Sequence, residues 1–333
     1  MIRKFLVALA GTALCTAIAS TAQAQAPAGG AGLVFPSKPV RIFVGYPPGG
    51  GVDTAARLVS TALSEYWAVP VVVENRPGGA GAVATEAVAK SPRDGYTAML
   101  CQIASHAITP ARNKLPYDHI RDFSFISMVG TLPNVFVVHP SMPAKTLRQF
   151  IAMAKASPGK INFGSSGVGA SPHLSIELLK MEAGINIVHV PYKGAAQALS
   201  DVMGGQIEAA VGNLAGGALG AIKAGRVRAL GVTSAKRNKQ APEVPTFAEA
   251  GVPGFDVSSW YGVCTPGPLS KAVHAKFTAD LVALLEKSAL RERLETQGID
   301  VTPSTPEQFV AHVRKETERW TKVVKEANLG PEI

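Results

Sequence analysis

The chain has 333 residues, 47% of them hydrophobic and 17% charged, which is enough apolar material for one large or two medium domains. Its formal net charge is +9, yet no Lys/Arg block with interleaved aromatics occurs, so a nucleic-acid partner is not expected. The densest basic cluster, Lys236-Arg237-Asn-Lys239, reads as a solvated loop.

The amino terminus reads as a targeting signal. Arg3 and Lys4 supply the positive end, and Phe5 to Ser20 is apolar and small. Ala22-Gln-Ala24 fits a small-x-small cleavage pattern, so cleavage is expected after Ala24, or after Ala26. The apolar run falls short of the roughly 20 residues a membrane span needs. The residues before Cys15 do not resemble a lipobox. The expected product is an exported, periplasmic chain carrying two cysteines, Cys101 and Cys264. In an oxidising compartment they could pair; as residues flanked by core they could equally remain buried thiols.

Past the Ala/Gly stretch at 26–32, strand and helix patterns alternate. Apolar strand-like runs fall at 39–45, 69–74, 96–101, 124–130, 134–138, 160–164, 186–190, 207–211, 227–232 and 256–263. Helical spacing appears at 53–66, 79–89, 146–156, 172–182, 194–203, 214–223 and from 306 to about 327. The alternation predicts an α/β fold with largely parallel sheets. Thr146-Leu-Arg-Gln149 reads as a capping box, and Thr305-Pro-Glu-Gln308 adds proline at the first helical position. Ser171-Pro172 reads as a cap residue before such a proline. Pro-rich turns at 139–143 and 241–254 suggest a second lobe, 135–255, inserted into a first made of 25–134 and 256–333. Two chain crossings of that kind permit a hinge.

Residues 46–53 read Tyr-Pro-Pro-Gly-Gly-Gly-Val-Asp at a strand-to-helix turn. Prolines donate no hydrogen bond, and glycines carry no side chain. The first-turn N–H groups of the helix are thereby left bare, the geometry that holds an anion. Tyr46, Pro48, Gly49, Gly50 and Gly51 are the candidates here. Asp53 is expected to cap the helix or to pair with Arg57 one turn on, since a free carboxylate would repel the ligand. A second turn, Gly164-Ser-Ser-Gly-Val-Gly-Ala-Ser171, repeats the logic with hydroxyls. Ser165, Ser166 and Ser171 can donate, while Gly167 and Gly169 allow close approach. Two such turns can close on one carboxylate.

Competing chemistries lack their patterns. The glycine turn does not have the G-x-G-x-x-G spacing, and no phosphate-loop motif occurs. Gly164-Ser-Ser-Gly167 is one residue short of a serine-hydrolase elbow. No H-E-x-x-H or clustered Cys/His spacing points to a metal. Neither a cofactor nor a metal is expected, and no enzyme activity; an extracytoplasmic hydrolase is the weakest alternative.

The chain resembles the tripartite tricarboxylate transporter substrate-binding receptors, the Bug family of periplasmic solute receptors. The likeness runs through 46–53 and through Val72-Val-Glu-Asn-Arg-Pro-Gly-Gly-Ala-Gly81 and Pro92-Arg-Asp-Gly-Tyr-Thr97. It continues in Leu115-Pro-Tyr-Asp118, Pro133-Asn-Val135, Val188-His-Val-Pro-Tyr-Lys-Gly194 and Val244-Pro-Thr-Phe-Ala-Glu-Ala-Gly251. The resemblance implies a two-lobed Venus-flytrap receptor (type II-like) that captures a small organic mono- or dicarboxylate and passes it to inner-membrane transporter subunits, acting as a monomer. A receptor that instead reports to a membrane signalling partner is the alternative. By the same resemblance, Ser105, His106, Tyr192, Gly194 and Asn213 join the ligand site. Val168, Ala170 and Gly212 stand where the family often has polar residues. An ammonium-bearing ligand would lose a counter-charge there, which favours a carboxylate with a less polar body, aromatic or dicarboxylic.

Overall fold

The computed structural model describes residues 34–287, 289–326 and 330. The expected signal segment, residues 1–24, and its cleavage site lie outside them, as does Cys15. Among the described residues no helix is long and apolar enough to cross a membrane.

The first half runs β1 (Val40–Val44), α1 (Gly51–Trp67), β2 (Val71–Asn75), α2 (Ala82–Ala89) and β3 (Thr97–Gln102). A π-helical turn, Ala104–Ile108, and the short α3 (Thr109–Arg112) lead to β4 (Phe123–Val138). Next come α4 (Leu147–Ala156), β5 (Asn162–Ser165), α5 (Ser171–Ala183), β6 (Val188–Pro191) and α6 (Ala195–Met203). Then follow β7 (Ala209–Asn213), α7 (Gly217–Lys223), β8 (Arg228–Val232) and β9 (Ser258–Pro266). The chain closes with α8 (Lys271–Lys287), α9 (Ala289–Thr296), β10 (Asp300–Val301) and α10 (Pro306–Glu326).

Among the described residues the strands order β2-β1-β3-β9-β4-β7-β5-β6, with β8 and β10 also on β4. The βαβ units pair in parallel, β1 with β2 and β3, and β5 with β6 and β7. The long strands β4 and β9 run antiparallel to their neighbours, so each half of the sheet is mixed. β4 serves both halves. Phe123 to Pro133 pairs with β9, and Asn134 to Val138 pairs with β7. The split expected between 124–130 and 134–138 is thus one strand. Pro133, which has no N–H to give, sits where the strand changes partner.

Helix faces follow from spacing. On α1, Ala55, Ala56, Val59 and Leu63 are fully buried. On α8, Phe277, Leu281 and Leu285 recur every fourth residue and are fully buried. The larger of these side chains each contribute about 1.5–3 kcal/mol of apolar burial, the alanines less. Both capping expectations at Thr146 and Thr305 hold: Gln149 N donates to Thr146 Oγ1 and Gln308 N to Thr305 Oγ1, each at 3.2 Å. Ser171 is different. The cap position of α5 is Ala170, and Ser171 is already helical, its side chain turned into a buried polar network. Cys101 and Cys264 are both free and buried.

Candidate functional site

Three helices begin at one cleft. α1 starts from Gly50, α5 from Ala170 and α6 from Gly194, each cap residue in extended conformation and none of the three capped by a side chain. The cleft, of about 600 Å³ with its open mouth included, is lined at these tips by Gly50, Gly51, Ser171, Pro172, Gly194 and Ala195. Tyr46, Pro48 and Ser166 complete the wall expected from sequence. Among the described residues no Lys, Arg, Asp or Glu lines it. A negative ligand there meets neutral donors and the positive ends of helix dipoles, worth about 0.3–1 kcal/mol per end and up to about 2 when partly buried.

Asp53 is 3% exposed and fully engaged. One oxygen accepts from Gly49 N at 3.0 Å and Arg57 Nε at 2.9 Å. The other accepts from Arg57 Nη2 at 3.0 Å and Asn75 Nδ2 at 2.8 Å. Burial pushes its carboxyl up, but the hydrogen bonds from Arg57, Asn75 and Gly49 together hold it below the usual range. Asp53 therefore pairs with Arg57 and pins the turn at Gly49, whose φ of +92° suits glycine. It turns no free charge toward the cleft.

The floor is a closed polar network. Asn213 Oδ1 accepts from the Tyr261 hydroxyl at 2.9 Å. Its Nδ2 donates to Asn134 Oδ1 at 2.8 Å and to Ser259 Oγ at 2.9 Å. Asn134 Nδ2 donates to Ser171 Oγ at 3.1 Å, and the single Ser259 proton has two acceptors, Ser171 Oγ at 3.0 Å and Asn134 Oδ1 at 3.1 Å. Ser171 accepts within this network, and its own proton is available to the cleft it lines. Asn213, by contrast, has no side-chain donor to spare. Tyr46 is buried, its phenol pushed up by that burial and hydrogen-bonded with Gln102.

Other expected residues lie outside the wall. Ser105 and His106 are buried in the π turn, 1% and 0% exposed, and bonded to one another at 2.8 Å. Ser165 bonds His189 at 2.7 Å behind the second turn. Gly169, with φ +75°, lies against Arg112, whose Nη1 would stand 2.5 Å from an added Cβ. Gly167 lies near the Tyr192 carbonyl, and Tyr192 itself donates to Asp201 at 2.6 Å. Gly49 lines the adjoining recess that opens onto Ala196 and Ala215. Gln102, Ser259 and Ala195 to Gln197 line the cleft without being expected from sequence. Gln102 has one signal, a polar residue closing the apolar strand 97–102.

Residues 55–329 match the family described as tripartite tricarboxylate transporter family receptor. The chain belongs to this family. A UPF0065 protein from the tcbD-tcbE intergenic region of Pseudomonas sp. (strain P51) is 37% identical, covering 97% of this chain and 94% of the relative. Among solved structures, R. palustris Rpa4515 with adipate superposes with a TM-score of 0.85 at 33% identity, covering 88% of this chain and 98% of that one. MatC from Rhodopseudomonas palustris with bound malate gives 0.82 at 28% identity, covering 87% and 100%. This transporter receptor is a two-lobed α/β solute-binding protein of the periplasmic class, and its family role is capture rather than catalysis.

Proposed function

We propose that the receptor binds a small organic dicarboxylate in the cleft between α1, α5 and α6 and delivers it to the membrane subunits of a tripartite transporter. The observation that carries this reading is the meeting of three helix N-termini without side-chain caps in a cleft whose lining holds no charged side chain. First-turn amides from three helices outnumber the roughly four lone-pair sites of one carboxylate, which favours a ligand with two. Hydrogen bonds to a charged group add about 1.5–3 kcal/mol each. A few of them, with the helix ends, reach the ~8 kcal/mol of micromolar binding after association costs. The relatives solved with adipate and malate support the ligand class.

In this reading residues 1–24 are removed on export. Lobe one comprises 25–134 with 256–333, lobe two 135–255, and the lobes hinge near Asn134 and Val257. The backbone of Thr233 ties both crossings: Thr233 N donates to Asn134 O at 2.9 Å, and Val257 N donates to Thr233 O at 2.7 Å. Closure completes the clamp, so ligand shifts the population toward the closed form. A thermal-shift panel of mono- and dicarboxylates, with amino acids as the contrasting class, tests the assignment. A dicarboxylate at a hundred times its Kd adds about 2.7 kcal/mol to stability. A response confined to amino acids overturns it.

A further inference from the structure

The Ser105-His106 pair, set apart from the cleft, belongs to a second constellation. Cys101 lies on β3 opposite Gly262 of β9, and Cys264 lies opposite Met99. The two cysteines are therefore diagonal neighbours on one face. His106 joins them from the π turn that follows β3, a rare helical form frequently seen at functional sites. One ligand atom from each of Cys101, His106 and Cys264 lies within 4.8 Å of the others, and all three residues are fully buried. Spacing of 101, 106 and 264 along the chain forms no motif, which is why the sequence does not announce the cluster.

Ser105 Oγ stands 3.1 Å from the Gln102 carbonyl and 2.8 Å from His106 Nδ1. With its single proton on that carbonyl, Ser105 accepts from Nδ1, and Nε2, 3.6 Å from Cys264 Sγ, presents a lone pair. An outer partner that holds one ring nitrogen as N–H and frees the other is the arrangement around metal-bound histidines. Bonds of about 2.0 Å to nitrogen and about 2.3 Å to sulfur, closing the observed 3.6 Å span, subtend about 114° at an ion. The Cys264–His106 span is thus already suited to an ion bound by both.

We propose that Cys101, His106 and Cys264 form a buried three-coordinate site for a monovalent copper ion. Soft thiolate and imidazole donors select such an ion, and zinc would demand a fourth donor, where the described cluster offers three. Charge balance agrees. Cu⁺ replaces the proton that Cys264 directs at His106: the S–H bond breaks, Sγ–Cu and Nε2–Cu bonds form, and the proton leaves to solvent. Cys101 keeps its proton on the Gly262 carbonyl, 3.3 Å away, and offers a sulfur lone pair. The centre is neutral before and after, as a dry pocket edged by the Phe123 and Phe125 rings requires. A disulfide fits less well, because diagonal strand positions stand about 7–8 Å apart and a disulfide spans about 4.4–6.8 Å.

The test is an anaerobic titration of the purified, reduced protein with Cu⁺ held in a coloured chelator, repeated with Zn²⁺. One Cu⁺ per chain is expected to leave the chelator, with a sulfur-to-copper charge-transfer band and copper–sulfur scattering in X-ray absorption. Cys264→Ser and His106→Gln, each checked for folding by circular dichroism, lose at least tenfold in affinity. The wild-type absorption spectrum stands even if a variant does not fold. Copper uptake equal in Cys101→Ser/Cys264→Ser and wild type, no copper–sulfur scattering, Zn²⁺ binding in place of Cu⁺, or no free thiol in the denatured protein as isolated would each overturn the site.

Discussion

Gly194, at the tip of α6, lies against the ring of Pro47, at the tip of α1: a Cβ built on Gly194 stands 3.3 Å from both Cδ and Cγ of that ring. This contact bridges the mouth of the cleft. The backbone of Gly194 is extended, with φ −171°, so alanine there brings volume without strain. Gly194→Ala is expected to hold the cleft slightly open, weakening binding of the best carboxylate several-fold while leaving the urea midpoint unchanged. Calorimetric titration beside urea denaturation separates the two effects. Equal losses in affinity and stability would show that the contact serves folding, not closure.

Neighbouring glycines of the first turn have opposite duties. A Cβ added to Gly50 would meet no atom within 4 Å, so its hydrogen faces open space beside the cleft. Gly51 would place the same carbon 2.8 Å from the Tyr261 hydroxyl and 3.2 Å from the side chains of Asn213 and Ala215. Gly50→Asp is expected to fold normally and lose ligand binding, because it sets a carboxylate where the ligand's own is held. Gly51→Ala is expected to cost about 1–3 kcal/mol of stability, the usual penalty for overpacking. Unchanged affinity in Gly50→Asp would remove α1 from the ligand site.

The difference between these two glycines is not legible in the sequence, although the turn is. The two turns before α1 and α5 can be read from proline, glycine and serine alone, because those residues act through the local backbone, although the spacing begins the helices at 53 and 172 and the structure begins them at Gly51 and Ser171. The third start, at Gly194, is legible as the beginning of the helical spacing at 194–203, but its place in the ligand site enters only through family resemblance. Asn134 and Ser259 meet across a long stretch of chain, so nothing near either marks the encounter. Ser105-His106 shows the reverse: a polar pair that reads as a site, yet folds inward onto the cysteines. At the level of elements, β4 reads as two strands because Pro133 breaks the pattern where the strand passes between halves of the sheet. α8 escapes notice because alanines blur the contrast between its buried and exposed faces.

His173 and His189 stack with ring centroids 4.0 Å apart behind the second turn. His173 Nδ1 accepts from Gly169 N at 3.2 Å, and His189 holds Ser165, so the pair braces the segment that carries Ser166 to the cleft. Burial, then the charges of His189, Arg112 and Lys180, push His173 down to about 3. Burial, then Lys180, pushes His189 down to about 4. Glu177, 3.6 Å from His173, is the acidic group beside the pair. In the unfolded chain both rings titrate near the ordinary ~6.5. Between that value and about 4 the unfolded state binds more protons at both rings, and down to about 3 at His173 alone, so stability falls as pH falls through this window and levels off below about 3. The expected slope is at most about 1.4 kcal/mol per pH unit for each ring. Urea midpoints measured from about pH 7 to pH 5 check it, and His189→Gln is expected to reduce the slope by one ring's share, with His173 and the buried His106 keeping the remainder. A flat wild-type profile would contradict the neutral pair.

Tyr261 and Asn213 separate support from contact at the floor. Tyr261→Phe removes the hydroxyl that donates to Asn213 Oδ1, leaving a half-buried acceptor without its partner at a cost of about 1 kcal/mol. It adds no charge, so affinity should change little beyond what looser positioning causes. Asn213→Asp has nearly the same shape but loses both donors, those to Asn134 Oδ1 and Ser259 Oγ. It also sets a negative charge in the cleft wall, where like charge repels a carboxylate. Asn213→Asp is therefore expected to lose both stability and at least tenfold in affinity, about 1.4 kcal/mol. Tyr261→Phe should lose mainly stability. Chemical denaturation and calorimetric titration on the two variants read the two losses independently. A Tyr261→Phe variant that binds as poorly as Asn213→Asp would mean that the tyrosine itself reaches the ligand.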